Sequence, residues 1–322
     1  MENIPVIHIG LAKAASSLLQ KHLFYKHNEI RNLAIYPEGN LGSGESIKEP
    51  DCIYLRDPDL KKFYDRLCMT YSINYNEEKE IELYHSLIKR YNDNKPIIFS
   101  NERITSVFYA YPDIIIKANR LKNIFGEAKI ILILRRQIDI IISQYRDHPF
   151  DPRNFSIGKP VNINQFVTIL NESNDLIYLE SLKYSKIIDH YSKLFGKENV
   201  GVFLFENLKK NPKEFISNIA TFIGISQSTA INTMPKSKEN RGVSKKFNQF
   251  RKFQRRNQWI NKIAKQIPQK LKQIFLSWIK KGDKQKIEYD DQTRNFILEY
   301  YRRDNYYISK EYHLDLNEYN YY

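Results

Sequence analysis

Ile4-Pro5-Val6-Ile7-His8-Ile9-Gly10-Leu11-Ala12-Lys13-Ala14-Ala15-Ser16-Ser17-Leu18-Leu19 stands near the start of this 322-residue chain and changes character at Gly10. Up to Ile9 the run is apolar but for His8, as in a strand buried on both faces. Glycine then breaks it. Beyond the break Ala15, Leu18, Leu19 and Leu23 recur at i, i+3, i+4 and i+8, the spacing of a helix with one apolar face. A strand turning tightly into a helix offers the helix's unpaired first amides and its partial positive charge at the end of the sheet. Lys13, Ser16 and Ser17 add a mobile cation and two hydroxyls to what is in general an anion-binding arrangement. The order of residues is not G-x-x-x-x-G-K-[ST], because Lys13 precedes the small residues and a second glycine is absent. That argues against ATP or GTP hydrolysis by this loop.

Further short apolar runs, at Pro96 to Ser100, Lys129 to Leu134 and Val200 to Phe205, join Pro5 to Ile9 as buried parallel strands. Helical patterns lie between them. Ile138, Ile141, Ile142 and Tyr145 share one face. The clearest helix spans Pro212 to Ile223, with Asn211 as N-cap, Pro212 at the first position and Gly224 as the stop. Alternating strands and helices predict an α/β fold, a three-layer α/β/α arrangement whose central sheet is mostly parallel and covered on both faces. No repeat or Gly/Ser-rich linker divides the chain, so residues 1–322 read as one domain, with 243–288 a basic, amphipathic helical insertion.

A second segment carries chemistry. Lys129-Ile-Ile-Leu-Ile-Leu134 runs into Arg135-Arg136-Gln137-Ile138-Asp139-Ile140-Ile141-Ile142-Ser143-Gln144-Tyr145-Arg146. Together the two segments resemble the signatures of the sulfotransferases that use 3′-phosphoadenosine 5′-phosphosulfate (PAPS), in particular bacterial ones acting on carbohydrates. The family's first loop follows G-x-x-K-x-G-[TS]-[TS]-x-L; Gly10, Lys13, Ser16, Ser17 and Leu19 match, and Ala15 replaces the second glycine. Its second signature is a strand ending in L-R followed by R-x-x-S-x-Y. Arg135, Ser143 and Tyr145 match, while Gln137 stands for a frequent proline and Ile140 for the helical arginine. Arg136 and Arg146 are near enough in sequence to make up that charge.

The likeness continues through Tyr184 to Ile225, where Glu206-Asn-Leu208 reads as a surface turn, and returns at Asn240-Arg241-Gly242 and at Leu298 to Asn305. It implies a P-loop-like sulfotransferase with PAPS as co-substrate, PAP as product and no metal. By carry-over Lys13 neutralises the leaving phosphate, and the amides of Ala14, Ala15, Ser16 and Ser17 with both hydroxyls hold the 5′-phosphate. Arg135 and Ser143 bind the 3′-phosphate, and Arg241 with Gly242 closes over the phosphates. For the base we choose Glu102, at the carboxyl end of the strand Ile97 to Ser100, where open α/β sheets bind ligands. The alternative for Glu102 is an exposed carboxylate paired with Arg103. His8 is the rival base, although a histidine inside a strand reads first as a satisfied core residue. The implied acceptor is a hydroxyl on a carbohydrate or glycolipid.

The composition, 42% hydrophobic and 27% charged, is that of a folded protein. Cys52 and Cys68, sixteen residues apart, fit neither a metal nor a redox spacing and read as buried thiols. Without a secretory signal or a long apolar run, the expected location is the cytoplasm, at most peripheral to the inner membrane surface. The net charge of +14 is concentrated: between Lys236 and Lys286 stand seventeen Lys and Arg against two acids, a local surplus of +15. Phe250, Phe253, Trp259, Ile263, Ile267, Leu271, Ile274, Phe275 and Trp278 punctuate this stretch at near-helical spacing, interrupted near Pro268. It reads as a packing helix with a solvated face, as peripheral contact of 245–286 with an anionic membrane, or as a groove for an anionic glycan. The competing function is a nucleic-acid- or membrane-surface-binding protein built on 236–286. No module for specific nucleic-acid recognition is recognisable, and the oligomeric state is not encoded legibly.

Overall fold

A computed structural model describes residues 4–35, 52–91, 93–107, 113–147, 160–173, 177–235 and 286–322, positions 149 and 152, and scattered positions between 244 and 279. Among the described residues there are five strands: β1 Val6–His8, β2 Arg31–Asn32, β3 Ile97–Ser100, β4 Lys129–Leu134 and β5 Val200–Leu204. They form one sheet in the order β2-β3-β1-β4-β5, with every pairing parallel. The expected parallel sheet flanked by helices is thus the observed one. Its hydrophobic centre is β4, buried from Ile130 to Leu134, which burial on both faces requires of a central strand. Each such Ile or Leu contributes roughly 1.5–3 kcal/mol relative to exposure.

Strand order fixes where a ligand can sit. From β1 the chain moves outward to β2, returns through β3, then crosses β1 to continue as β4 and β5. The order reverses at β1, and open parallel sheets bind ligands beyond the carboxyl ends of strands at such a switch. Gly10 to Ser17, Glu102 and Arg135 follow β1, β3 and β4, the three central strands.

The helix Pro212–Ile223 has the bounds its sequence predicts, with Asn211 accepting the Glu214 amide at 3.3 Å and Gly224 at φ +91°. Gln137–Asp147 contains the predicted Ile138 to Tyr145 face. Gln137, in place of the family's proline, forms a reciprocal amide pair with Asn305 of the helix Asp291–Glu311, at 2.8 and 3.1 Å. Glu206 is no surface turn. It is buried in the short helix Phe205–Lys210, where its carboxylate accepts the Arg136 amide at 3.2 Å and the Tyr321 hydroxyl at 2.8 Å. Both cysteines are buried free thiols.

Arg241, Gly242 and most of 243–288 lie outside the described residues; 246, 249, 250 and 253 are helical, as are 271, 274, 275, 278 and 279, and Pro268 between them is not. Among the described residues no helix is long and apolar enough to cross a membrane.

Candidate active site

The loop after β1 enters the left-handed region three times. Gly10, Lys13 and Ala15 have φ of +59°, +72° and +67°, a region that L-residues other than glycine adopt at a cost. Ala15 occupies the position where the family pattern has glycine, and its left-handed backbone supplies the physical reason for that preference. The Ala14 amide donates to the Leu11 carbonyl at 3.1 Å, closing the turn. A helical segment starts at Ser16–Leu18 and continues through a π-helical stretch, Leu19–Phe24. Its first amides, those of Ser16 and Ser17, have no intrahelical acceptor. Ser16 is buried, with its hydroxyl donating to the Leu11 carbonyl at 3.3 Å, while Ser17 is only half-buried.

Glu102 lies directly against this loop. A Cβ added to Gly10 would stand 3.0 Å from Ser16 Oγ and 3.3 Å from Glu102 Cα, so any other residue would have to press these neighbours back by a few tenths of an ångström and also adopt the positive φ. Glu102 opens a single 3-10 turn, Glu102–Ile104, held from several sides. Asn101 accepts the Arg103 amide at 2.9 Å, and the Thr105 hydroxyl donates to the Gly10 carbonyl. The fully buried Lys117 donates to the carbonyls of Arg103 and Ser106, each at 2.9 Å. Burial pushes the Lys117 ammonium down to about 8, with the like charge of Arg120 adding to the shift and Cys68 and Asp113 opposing it. Arg103 pairs with Asp65 at 3.1 Å.

His8 sits under the site rather than in it. Its ring has no exposure, and burial pushes its pKa down to about 3. Gln20 Nε2 donates to Ser100 Oγ at 3.0 Å, leaving the serine proton for His8 Nδ1 at 2.7 Å. That places the imidazole proton on Nε2, facing apolar surroundings that include Phe24. A ring closed from solvent cannot reach an acceptor hydroxyl, so His8 belongs to the core.

On the other side of β1, Arg135 joins the two signatures. Its guanidinium donates to the Lys13 carbonyl at 2.7 Å and stacks 4.7 Å from the Phe205 ring centroid. The Arg135 Nε–H is buried with no acceptor among the described residues, a donor suited to an anion's oxygen. The Lys209 ammonium lies 4.9 Å from the same Phe205 ring. Desolvation and then the Arg135 charge hold the Lys209 pKa below the ordinary lysine value. Arg135 is itself lowered, by burial first, with Asp139 and Glu206 opposing and Arg146 reinforcing the shift. Two cations crowded onto one ring repel each other, and an anion between them would relieve that repulsion.

The structure therefore brings together Lys13, Ala14, Ala15, Ser16, Ser17, Glu102 and Arg135. Ser143, two turns along the next helix, is half-buried and makes no hydrogen bond to the loop or to Arg135 among the described residues. Arg136 is committed elsewhere, to Asp139 at 3.0 Å and to the Tyr319 carbonyl at 3.3 Å. Thr105, Lys117, Phe205 and Lys209 are site residues that sequence reasoning misses, because distant segments bring them there. No group of residues fit to hold a metal ion occurs among those described.

The loop after β1, a strand-end arginine and an adjacent carboxylate thus meet at the switch point of a parallel α/β sheet. A model of the sulfotransferase domain family matches residues 112–286, more than half of the chain, and the chain belongs to that family. The matched residues include Arg135 and Ser143 and leave out the first loop and Glu102. Among solved structures, a sulfotransferase from Alicyclobacillus acidocaldarius superposes with a TM-score of 0.52 at 15% identity, over 99% of each chain. It supports the fold. The sulfotransferase domain of the Synechococcus PCC 7002 olefin synthase gives 0.41 at 14% identity, over 74% of this chain and 80% of that one. The sulfotransferase domain from the curacin biosynthetic pathway gives 0.38 at 13%, over 74% and 81%. No curated protein sequence matches the chain.

Proposed function

We propose that this sulfotransferase moves the sulfuryl group of PAPS to a hydroxyl on a carbohydrate or glycolipid. The observation that carries the reading is the 2.7 Å hydrogen bond from Arg135 to the Lys13 carbonyl, which brings the two sequence signatures into contact. Lys13 supplies positive charge where the bridging oxygen of the leaving phosphate becomes anionic, and the Ser16 and Ser17 amides hold the 5′-phosphate. Arg135, with its unpaired Nε–H, holds the 3′-phosphate, and Lys209 and Arg146 supply the charge that Ile140 withholds. Glu102 takes the acceptor's proton. Sulfuryl transfer of this kind needs only charge stabilisation and a base, and no metal enters it.

The carbohydrate acceptor rests on the likeness of Ser100-Asn101-Glu102 to the catalytic strand end of carbohydrate sulfotransferases. The test is transfer of labelled sulfate from PAPS to a panel of glycans and glycolipids in the presence of EDTA. Transfer to a glycan that survives EDTA and disappears in Glu102→Gln supports the reading. Transfer only to non-carbohydrate hydroxyls rejects the acceptor class, and no PAPS turnover with any acceptor rejects the reading as a whole.

A further inference from the structure

We propose that the helical face formed by Leu271, Ile274, Phe275 and Trp278 docks this protein onto an anionic lipid surface. These four residues are helical and spaced i, i+3, i+4, i+7, so they share one side of a helix. All four are large, apolar and exposed, at 58%, 64%, 43% and 59%. Single exposed hydrophobics need no explanation, but a continuous stripe of them does. The next residue, Ile279, is buried, and its carbonyl accepts the Ser244 hydroxyl, so the helix has an anchored side and an exposed one. Phe275 packs edge-on against Phe250 at 5.2 Å, and the Lys246 ammonium lies 4.9 Å from the Trp278 ring, joining the stripe to a second basic stretch.

Charge selects the occupant. The stripe lies within the 236–286 stretch, whose seventeen Lys and Arg face only two acids, and Lys270, Lys272, Lys280 and Lys281 flank it in sequence. A second copy of the chain would bring two such surpluses together, which repel. A nucleic acid would satisfy the cations yet leave Leu271 and Ile274 in water. An anionic lipid surface satisfies both, with headgroup phosphates at the lysines and the acyl boundary under the apolar stripe. The contact is peripheral and does not depend on which reaction the site performs.

Both tryptophans of the chain, Trp259 and Trp278, fall in this stretch, so intrinsic fluorescence reports on it directly. The experiment titrates the full chain with vesicles of phosphatidylcholine alone and of phosphatidylcholine with phosphatidylglycerol, reading sedimentation and the tryptophan emission maximum. The expected result is a blue shift and sedimentation with the anionic vesicles only, weakened by salt. The double substitution Leu271→Ser/Ile274→Ser should weaken partitioning about 100-fold. Lys270→Glu/Lys272→Glu, which keeps the apolar stripe, should weaken it too, so a failure of the first variant to fold leaves the test standing. The proposal is overturned if the wild type stays in solution with anionic vesicles at low salt. It is equally overturned if the serine variant binds them as the wild type does, or if RNA binds with the affinity seen for vesicles and that affinity ignores the serine substitutions.

Discussion

Ala15 gives the sharpest quantitative test of the loop. Its backbone is left-handed at φ +67°, where an L-residue is disfavoured relative to glycine by roughly 1–2 kcal/mol. Ala15→Gly removes that strain, while the freer unfolded chain costs about 0.4–1 kcal/mol. With part of a half-buried methyl also lost, the net effect should fall between neutral and about 1 kcal/mol stabilising. Ala14, one residue earlier, is fully buried and has no positive φ. There the same substitution relieves nothing, and it loses a packed methyl of about 0.8 kcal/mol in addition to the entropy term. Ala14→Gly should therefore destabilise by about 1.5 kcal/mol, leaving the two variants about 2 kcal/mol apart. Urea unfolding of both variants beside the wild type measures the gap. Equal destabilisation by the two would mean that Ala15 carries no strain, and the explanation of the family's glycine would fail.

Other expectations follow from the same geometry. Glu102→Gln should lower turnover by about 100- to 10,000-fold while leaving PAP binding intact, as steady-state kinetics and calorimetry would show. His8 is held near 3 in the folded chain against an ordinary 6.5, so only the unfolded state takes up its proton as pH falls below 6.5. The wild type should thus lose stability between pH 6.5 and about 3, and urea midpoints of His8→Gln should fall less over that window. Lys117 is lowered to about 8 from 10.5, so between those values the unfolded state binds the extra proton and folding gains as pH rises. The stability of the wild type relative to Lys117→Met should accordingly increase from pH 8 to 10.5, read from paired denaturation curves. The same variant should lower kcat more than it raises KM for PAPS, because Lys117 steadies the turn that carries Glu102.

Much of this fold is legible in the sequence because buried parallel strands have a strong signature. Lys129 to Leu134 has the observed bounds of β4, and Pro212 to Ile223 carries its own caps. β2 is not legible: Arg31–Asn32 has no apolar pattern, and backbone bonds to Pro96 and Ile98 across the sheet make it a strand. The π-helical turn after Ser16–Leu18 is hidden because an apolar face over so few residues fits either helical register. In the site, Gly10, Lys13, Arg135 and Glu102 could be named because each follows a recognisable strand. Lys117 looks from sequence like a solvent-facing lysine of Ile114–Phe125, yet it is buried beneath the turn. Phe205 and Lys209 come from beyond β5 and meet Arg135 only through tertiary packing.

The central claim is that the loop after β1 and the arginine after β4 form one nucleotide site. Calorimetric titration of the full chain with PAP, beside Arg135→Ala and Lys13→Ala, tests it most directly. The account predicts binding to the wild type in the micromolar range and a loss of at least tenfold in Arg135→Ala. A folded wild-type chain that binds no PAP, or an Arg135→Ala variant that binds it undiminished, would contradict it.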